Sequence, residues 1–147
     1  MPLVPTSLAW LARTVPLAAM PPVPRRLVTG MRHWASAHRF GRWPVSVLQD
    51  HLGCARAAAH LQLLVEEIGH AWPDPFCLGP PCCRQTSHDE TLLAAMIGAA
   101  ACADRPGFDL LCAEMLNSDA RDRLYLSLGA VAVALAKAPA AISAGEH

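Results

Sequence analysis

Three thiols and an imidazole within twelve residues hold the densest potential chemistry in the chain. They are Cys77, Cys82, Cys83 and His88, in the run Cys77-Leu-Gly-Pro-Pro-Cys-Cys-Arg-Gln-Thr-Ser-His-Asp-Glu90. Zinc takes four thiolate or imidazole ligands at tetrahedral positions, so these residues form a candidate zinc set, with His70 or Cys102 as substitutes for His88 in the fourth place. The spacing works against it. Neighbouring side chains on an extended segment point to opposite sides, so Cys82 and Cys83 could share one ion only through a turn, and the chain has no second Cys-x-x-Cys. Thiols that simply pack are the competing reading, because free cysteine is among the most buried residue types.

Two other constellations are less complete. Cys82 or Cys83 just ahead of a helix N-terminus, beside Arg84, meets two conditions that favour a thiolate. A nucleophile also needs a base and an orienting group; His88 could be the base, and no orienting group is evident, so no residue is assigned a catalytic role. The spacing Glu67-Ile-Gly-His70 puts a carboxylate and an imidazole on one helical face, as di-iron bundles do, but those sites need a second copy that is absent here. The helical wheel turns Glu66 and His70 away from Leu61 and Ile68, which reads as a surface ion pair.

The elements that would position these residues are helical. Leu27, Met31, Trp34 and His38 form one stripe over 27–40, with Arg25, Arg32 and Arg39 repeating every seven residues on the other side and Gly30 as a weak point. Pro44 opens a short helix that Gly53 ends. Leu61, Leu64, Val65, Ile68 and Trp72, extended backwards by Cys54, Ala57 and Ala58, predict a helix over 54–71 that Pro73 and Pro75 terminate. Gly79-Pro80-Pro81 keeps 76–85 extended or turn-like, with a short strand at 76–78 the one candidate for sheet. Thr86 or Ser87 caps the next helix, and Ser87-His-Asp-Glu90 fits a capping box. That helix, to about Ala103, is apolar on every side and rich in small residues, which predicts a central position. Asp104-Arg-Pro-Gly107 is a turn. Phe108, Leu111, Cys112 and Met115 mark a short helix, and Asn117 or Ser118 caps a last one with the stripe Leu124, Leu128, Val131 and Leu135.

This order of Phe40-Gly41, a leucine-bearing helix ending near Glu66-Glu67, then Pro80-Pro81-Cys82-Cys83-Arg84, Thr86, Asp89-Glu90 and Leu92-Leu93 resembles a family of small helical bacterial proteins of unknown function. Their shared feature is a Pro-Cys-Cys motif before a threonine-capped helix. The resemblance spans roughly Met31 to Ala136 and rests on Pro81 to Leu93. It implies a compact helical fold and supplies no activity.

Composition sets the outer bounds. With 147 residues, 53% of them hydrophobic, the chain suffices for one domain with a real core. The expected architecture is an all-α bundle of five to six helices over residues 25–138. Residues 1–24, holding six of the thirteen prolines, form a loosely attached leader that folding does not need, with a short helix at 7–15; residues 139–147 form a frayed tail. Met31 is an alternative start. No secretory pattern is evident, so the six cysteines read as reduced cytoplasmic thiols. The uncharged runs 91–103 and 124–136 are thirteen residues each, short of the roughly 20 that a membrane span needs.

Formal charge is zero but divided. Residues 1–58 hold seven arginines and one acid, and the rest holds five bases and eleven acids. Docking of the basic half on the acidic half is the favoured account. Arg25, Arg26, Arg32, Arg39 and Arg42, interleaved with Trp34, Phe40 and Trp43, are the ingredients of a nucleic-acid surface; neutrality and the lack of a recognisable binding motif disfavour that reading. No organic cofactor is indicated. The leading expectation is a non-enzymatic interaction or regulatory protein that meets a protein partner or a second copy of itself, ahead of a zinc- or redox-responsive protein and of nucleic-acid contact through 25–42.

Overall fold

A computed structural model describes residues 14–139. Residues 1–13 and 140–147, with most of the expected 7–15 helix and the tail, lie outside the described residues. Those described form six α-helices and no strand: α1 (Pro22–Arg39), α2 (Pro44–Leu52), α3 (Ala55–Ala71), α4 (His88–Ala101), α5 (Arg105–Cys112) and α6 (Ser118–Lys137). The all-α architecture is as expected, and 76–78 joins no sheet. Among the described residues no helix is long and apolar enough to cross a membrane.

Each helix begins where local chemistry provides for its unpaired amides. Asn117 Oδ1 accepts from Ala120 N at 2.8 Å, Asp104 Oδ1 accepts from Gly107 N at 3.0 Å, and Cys54, at the N-cap of α3, accepts from Ala57 N through its sulfur at 3.5 Å. Pro22 and Pro44 occupy first positions, where a missing N–H costs nothing. The helix over 88–101 has the full capping box, and its cap is Ser87, not Thr86.

Four helices surround the core. α6 packs on α3 and α4, α1 packs on α4, α2 fills the angle between α1 and α3, and α5 closes against α4. The buried stripes follow the sequence periodicity: Leu61, Leu64 and Ile68 from α3, Leu93, Met96 and Ile97 from α4, and Leu124, Leu128, Val131 and Leu135 from α6. Burying one such side chain fully is worth about 1.5–3 kcal/mol. Gly30, a defect when α1 is read alone, is a contact point in the bundle: a Cβ there would stand 2.8 Å from Leu61 Cδ2. Its absence lets α1 lie close against α3.

The boundary expected at residue 24 falls differently. α1 begins at Pro22, and Met20 is buried with Val28 and Ala94, with Val15 and Leu17 packed beside them. Leu17 N donates to Arg84 O at 2.8 Å, and Thr86 Oγ1 donates to Val15 O. The proline-rich segment from residue 14 onward is therefore docked, because short apolar side chains and main-chain bonds hold it where no long stripe is available.

His33 of α1 and His51 of α2 face each other with ring centroids 4.2 Å apart. Burial lowers both imidazoles from their ordinary value; at His51, desolvation first, then His33 and Arg26, bring it to about 4. The folded state thus resists protons that the unfolded chain accepts. Stability contributed by the neutral pair is complete above the ordinary histidine value, about 6.5, and is lost as pH falls towards 4.

Leu64→Ala lowers unfolding free energy in urea by about 2–5 kcal/mol, whereas Leu110→Ala, at a side chain 85% exposed, stays within about 0.5 kcal/mol; equal costs would refute the assigned faces. Melting temperature falls as pH drops from about 6.5 towards 4, and His51→Gln flattens that slope. An unchanged slope would show that the pair is not its source.

Candidate functional site

The site is assembled around an arginine that periodicity alone places on a solvent face. Arg25, Arg32 and Arg39 do share one stripe of α1, but Arg25 and Arg39 are exposed while Arg32 is 1% exposed. The difference is tertiary. The middle of this stripe is covered by α4 and by the segment between α3 and α4, whereas its two ends run past them.

Arg32 meets Glu90 in a two-pronged ion pair, Nε to Oε2 at 2.8 Å and Nη2 to Oε1 at 2.9 Å, with both side chains fully buried. Its remaining N–H groups go to main-chain carbonyls of the cysteine loop: Nη1 to Cys83 O at 2.6 Å and Pro80 O at 3.3 Å, and Nη2 to Gln85 O at 2.8 Å. A guanidinium has five N–H donors, and all five are used. Glu90 in turn accepts from Gly79 N at 3.0 Å and Ser87 N at 2.9 Å. Removing two charges from water costs several kcal/mol per ion; complete hydrogen bonding at both ends offsets that cost.

The electrostatics agree with the geometry. Burial pushes the Glu90 carboxyl up, but the Arg32 guanidinium and the amides of Ser87 and Gly79 more than reverse this and leave it below the usual range. The hydrogen bond to Glu90 raises Arg32 above its ordinary value despite desolvation. Gly79 sits closely against this pair: a Cβ there would lie 3.0 Å from Nη2 of Arg32, so the guanidinium would have to give by a few tenths of an ångström.

A second acid of the same helical turn holds the other half of the loop. Asp89 accepts from Cys77 N at 2.8 Å and from the Trp72 indole at 3.2 Å, and Ser87 Oγ donates to Cys77 O at 2.6 Å. Trp72 and Phe76 meet edge to face at 4.9 Å. The loop is therefore held by its backbone, with its sulfurs left out of the holding network. Cys77 and Cys82 are exposed and Cys83 is partly exposed. The turn needed for Cys82 and Cys83 exists, closed by Cys83 N to Pro80 O at 3.0 Å.

His88 opens α4 and is exposed, and Cys102 lies at the opposite end of that helix, about 20 Å away by helical rise. Among the described residues no group of three or more His, Cys, Asp or Glu side chains converges in a way that could hold a metal ion. Buried Cys112 donates to Phe108 O at 3.2 Å, and desolvation, helped by Asp109, lifts its thiol to about 11, so it packs without reacting. Glu67 pairs with Arg123 at 3.5 Å, a partner that the Glu-x-x-His spacing does not indicate.

Beside the loop, α1 ends in a firm corner. Phe40 N donates to Ser36 O, Gly41 N to His38 O and Arg42 N to Ala37 O. From it Phe40 and Trp43 project 70% and 73% exposed, with the Arg39 guanidinium 5.8 Å from the Phe40 ring. A groove of about 350 Å³ runs between the last turns of α1 and Leu78–Pro81, with Arg32 at its floor. Of the five arginines considered for nucleic acid, Arg32 is enclosed and Arg26 donates to the carbonyls of Leu135, Ala138 and Pro139 at the end of α6. Arg25, Arg39 and Arg42 remain exposed.

Arg32→Met or Glu90→Gln alone costs about 3–5 kcal/mol, because each strands a buried charge, while Arg32→Met/Glu90→Met costs well under the sum. A single-variant cost below about 1 kcal/mol in urea unfolding would mean that the pair does not hold the loop. The Glu90 share of stability is present above the usual carboxylate range and is lost as pH falls through its lowered folded value. No family model, curated protein or solved structure matches the chain.

Proposed function

We propose that the protein is a non-enzymatic interaction module that receives an acidic peptide segment of a partner protein at the corner formed by Arg39, Phe40, Arg42 and Trp43 and in the adjoining groove. The observation that carries this is the pair of large aromatic side chains standing in water on a backbone fixed by three hydrogen bonds. Aromatics and arginines are the residue types that dominate binding energy at interfaces, and a fixed corner loses little entropy when a ligand arrives. Arg39 and Arg42 supply charge for carboxylates, and Leu78, Pro80 and Pro81 supply an apolar wall.

The arrangement explains why the Arg32–Glu90 pair is built so completely. Pro80 O and the Gly79 amide are bonded to it, so the wall of the groove is held by the same contact that joins α1 to α4. A redox-responsive role is the second reading, favoured by the exposure of Cys77 and Cys82 on that same pinned segment. In it, a peroxide takes two electrons from the exposed Cys77 or Cys82 thiol, giving a sulfenic acid and water, and so alters the segment that carries the groove wall.

Selection from a displayed random-peptide library tests the first reading. Acidic sequences with one aromatic or leucine anchor are expected, and Trp43→Ala or Arg39→Ala/Arg42→Ala weakens them at least tenfold, about 1.4 kcal/mol. Arg25→Ala has no effect. Peptides indifferent to Trp43 and Arg39, or no enrichment at all, would refute the proposal.

A further inference from the structure

A different face of the molecule carries an independent inference. α3 and α6 lie side by side and antiparallel: Glu67, near the end of α3, meets Arg123 near the start of α6, while Arg56 and His60 share a groove with Val133 and Lys137 at the other end. Three large apolar side chains stand in water along this pair, Leu63 at 58%, Leu126 at 72% and Val133 at 55% exposure. Leu126 and Val133 are seven residues apart on α6, and Leu63 lies between the two cross-helix contacts. They therefore form one stripe.

The charges at the ends of this stripe are opposite. On α6 its flanking residues are Asp119 and Asp122 at the start and Lys137 at the finish; on α3 they are Arg56 at the start and Glu67 at the finish. Because the helices are antiparallel, the two bases fall together and the acids fall together. The groove at the basic end has no carboxylate in its lining. At the acidic end Arg123 binds Glu67 and Arg105 bridges Asp109 and Asp122, so four carboxylates, with Asp119, face two guanidiniums.

We infer that this face is closed by a second copy of the chain, related by a two-fold axis through the stripe. Such an axis places each basic end on the other copy's acidic end and Leu63, Leu126 and Val133 on their counterparts. A self-complementary surface is what an isologous interface requires. Two helices of seventeen and twenty residues offer a face about 25 Å long and about 20 Å wide, roughly 500 Å² per copy and so about 1,000 Å² in total, the lower bound of a specific interface. The product is a four-helix contact on the side formed by α3 and α6, with Phe40 and Trp43 on other elements.

Sedimentation of the full chain across micromolar concentrations tests this. The native chain sediments as a dimer, and Leu126→Glu weakens it at least tenfold. Arg56→Glu/Lys137→Glu, with both ends acidic, and Glu67→Lys/Asp119→Lys, with both ends basic, are each monomeric alone, and an equimolar mixture of the two forms a heterodimer. Circular dichroism of each variant confirms that helix is retained, and recovery on mixing separates loss of pairing from loss of fold. A native monomer, which would assign the face to some other occupant, or a dimer indifferent to Leu126→Glu and to both charge variants, overturns the inference.

Discussion

A buried guanidinium–carboxylate pair sets the terms for the rest of this structure. Arg32 and Glu90 stand 58 residues apart in the chain, and together they make seven hydrogen bonds, five of them to main-chain or side-chain groups of the 79–90 region through the guanidinium alone. An ion pair left half satisfied in such surroundings would cost more than an apolar contact. The requirement for full satisfaction shapes the path of the loop: the carbonyls of Pro80, Cys83 and Gln85 point inward to the guanidinium, and residue 79 packs tightly against it. The register of α1 against α4 is set by the same geometry.

That constraint accounts for the behaviour of the cysteine segment. Prolines deny it helix and sheet, so its polar backbone has no regular ladder to join, and every buried carbonyl must find a donor elsewhere. Arg32, Ser87 and Asp89 provide for both ends of the segment. The sulfurs of Cys77 and Cys82 are left at the surface as a consequence of where the backbone is anchored. Further along, Thr86 and Thr91, joined at 2.9 Å, occupy the seam where residues 15–20 dock. One continuous set of polar contacts thus links the segment before α1, the end of α3 and the start of α4.

The uneven charge along the chain has a correspondingly specific outcome. Among the described residues one ion pair, Arg32–Glu90, joins the basic first part to the acidic remainder. Arg26 meets the carbonyl end of α6, where a cation complements the helix dipole. Wholesale docking of one half on the other is not how the charges are used. Arg39 and Arg42 stand exposed at the corner of α1 beside two aromatic rings, Arg25 is exposed at the other end of that helix, and the basic and acidic ends of the α3–α6 face remain separate. Both proposed contacts draw on charge that the fold leaves outside.

Most helix positions, the Ser87 and Asn117 caps and the buried stripes of α3 and α6 were legible in the amino-acid order, because an amphipathic helix encodes its inner face at a period of 3.6 and its ends in prolines, glycines and capping side chains; Asp104–Gly107, expected as a turn, is instead the cap and first turn of α5, and His38 of the expected α1 stripe is exposed. Leu61, Leu64 and Ile68, or Leu124, Leu128 and Val131, could be read from neighbours a few residues away, and so could the Ser87–Glu90 box. Arg32 could not: it shares its stripe with exposed Arg25 and Arg39, and only the arrival of a loop from 48 to 53 residues away encloses it. Glu90 was visible as a capping residue, but its second task depends on that distant arginine. The same holds for Gly30, which weakens an isolated helix and admits Leu61 in the bundle, and for Phe40 and Trp43, whose exposure follows from how α1 ends. Local order determined what each segment is; desolvation and contact between distant segments decided which of its polar groups are enclosed and which remain to meet a partner.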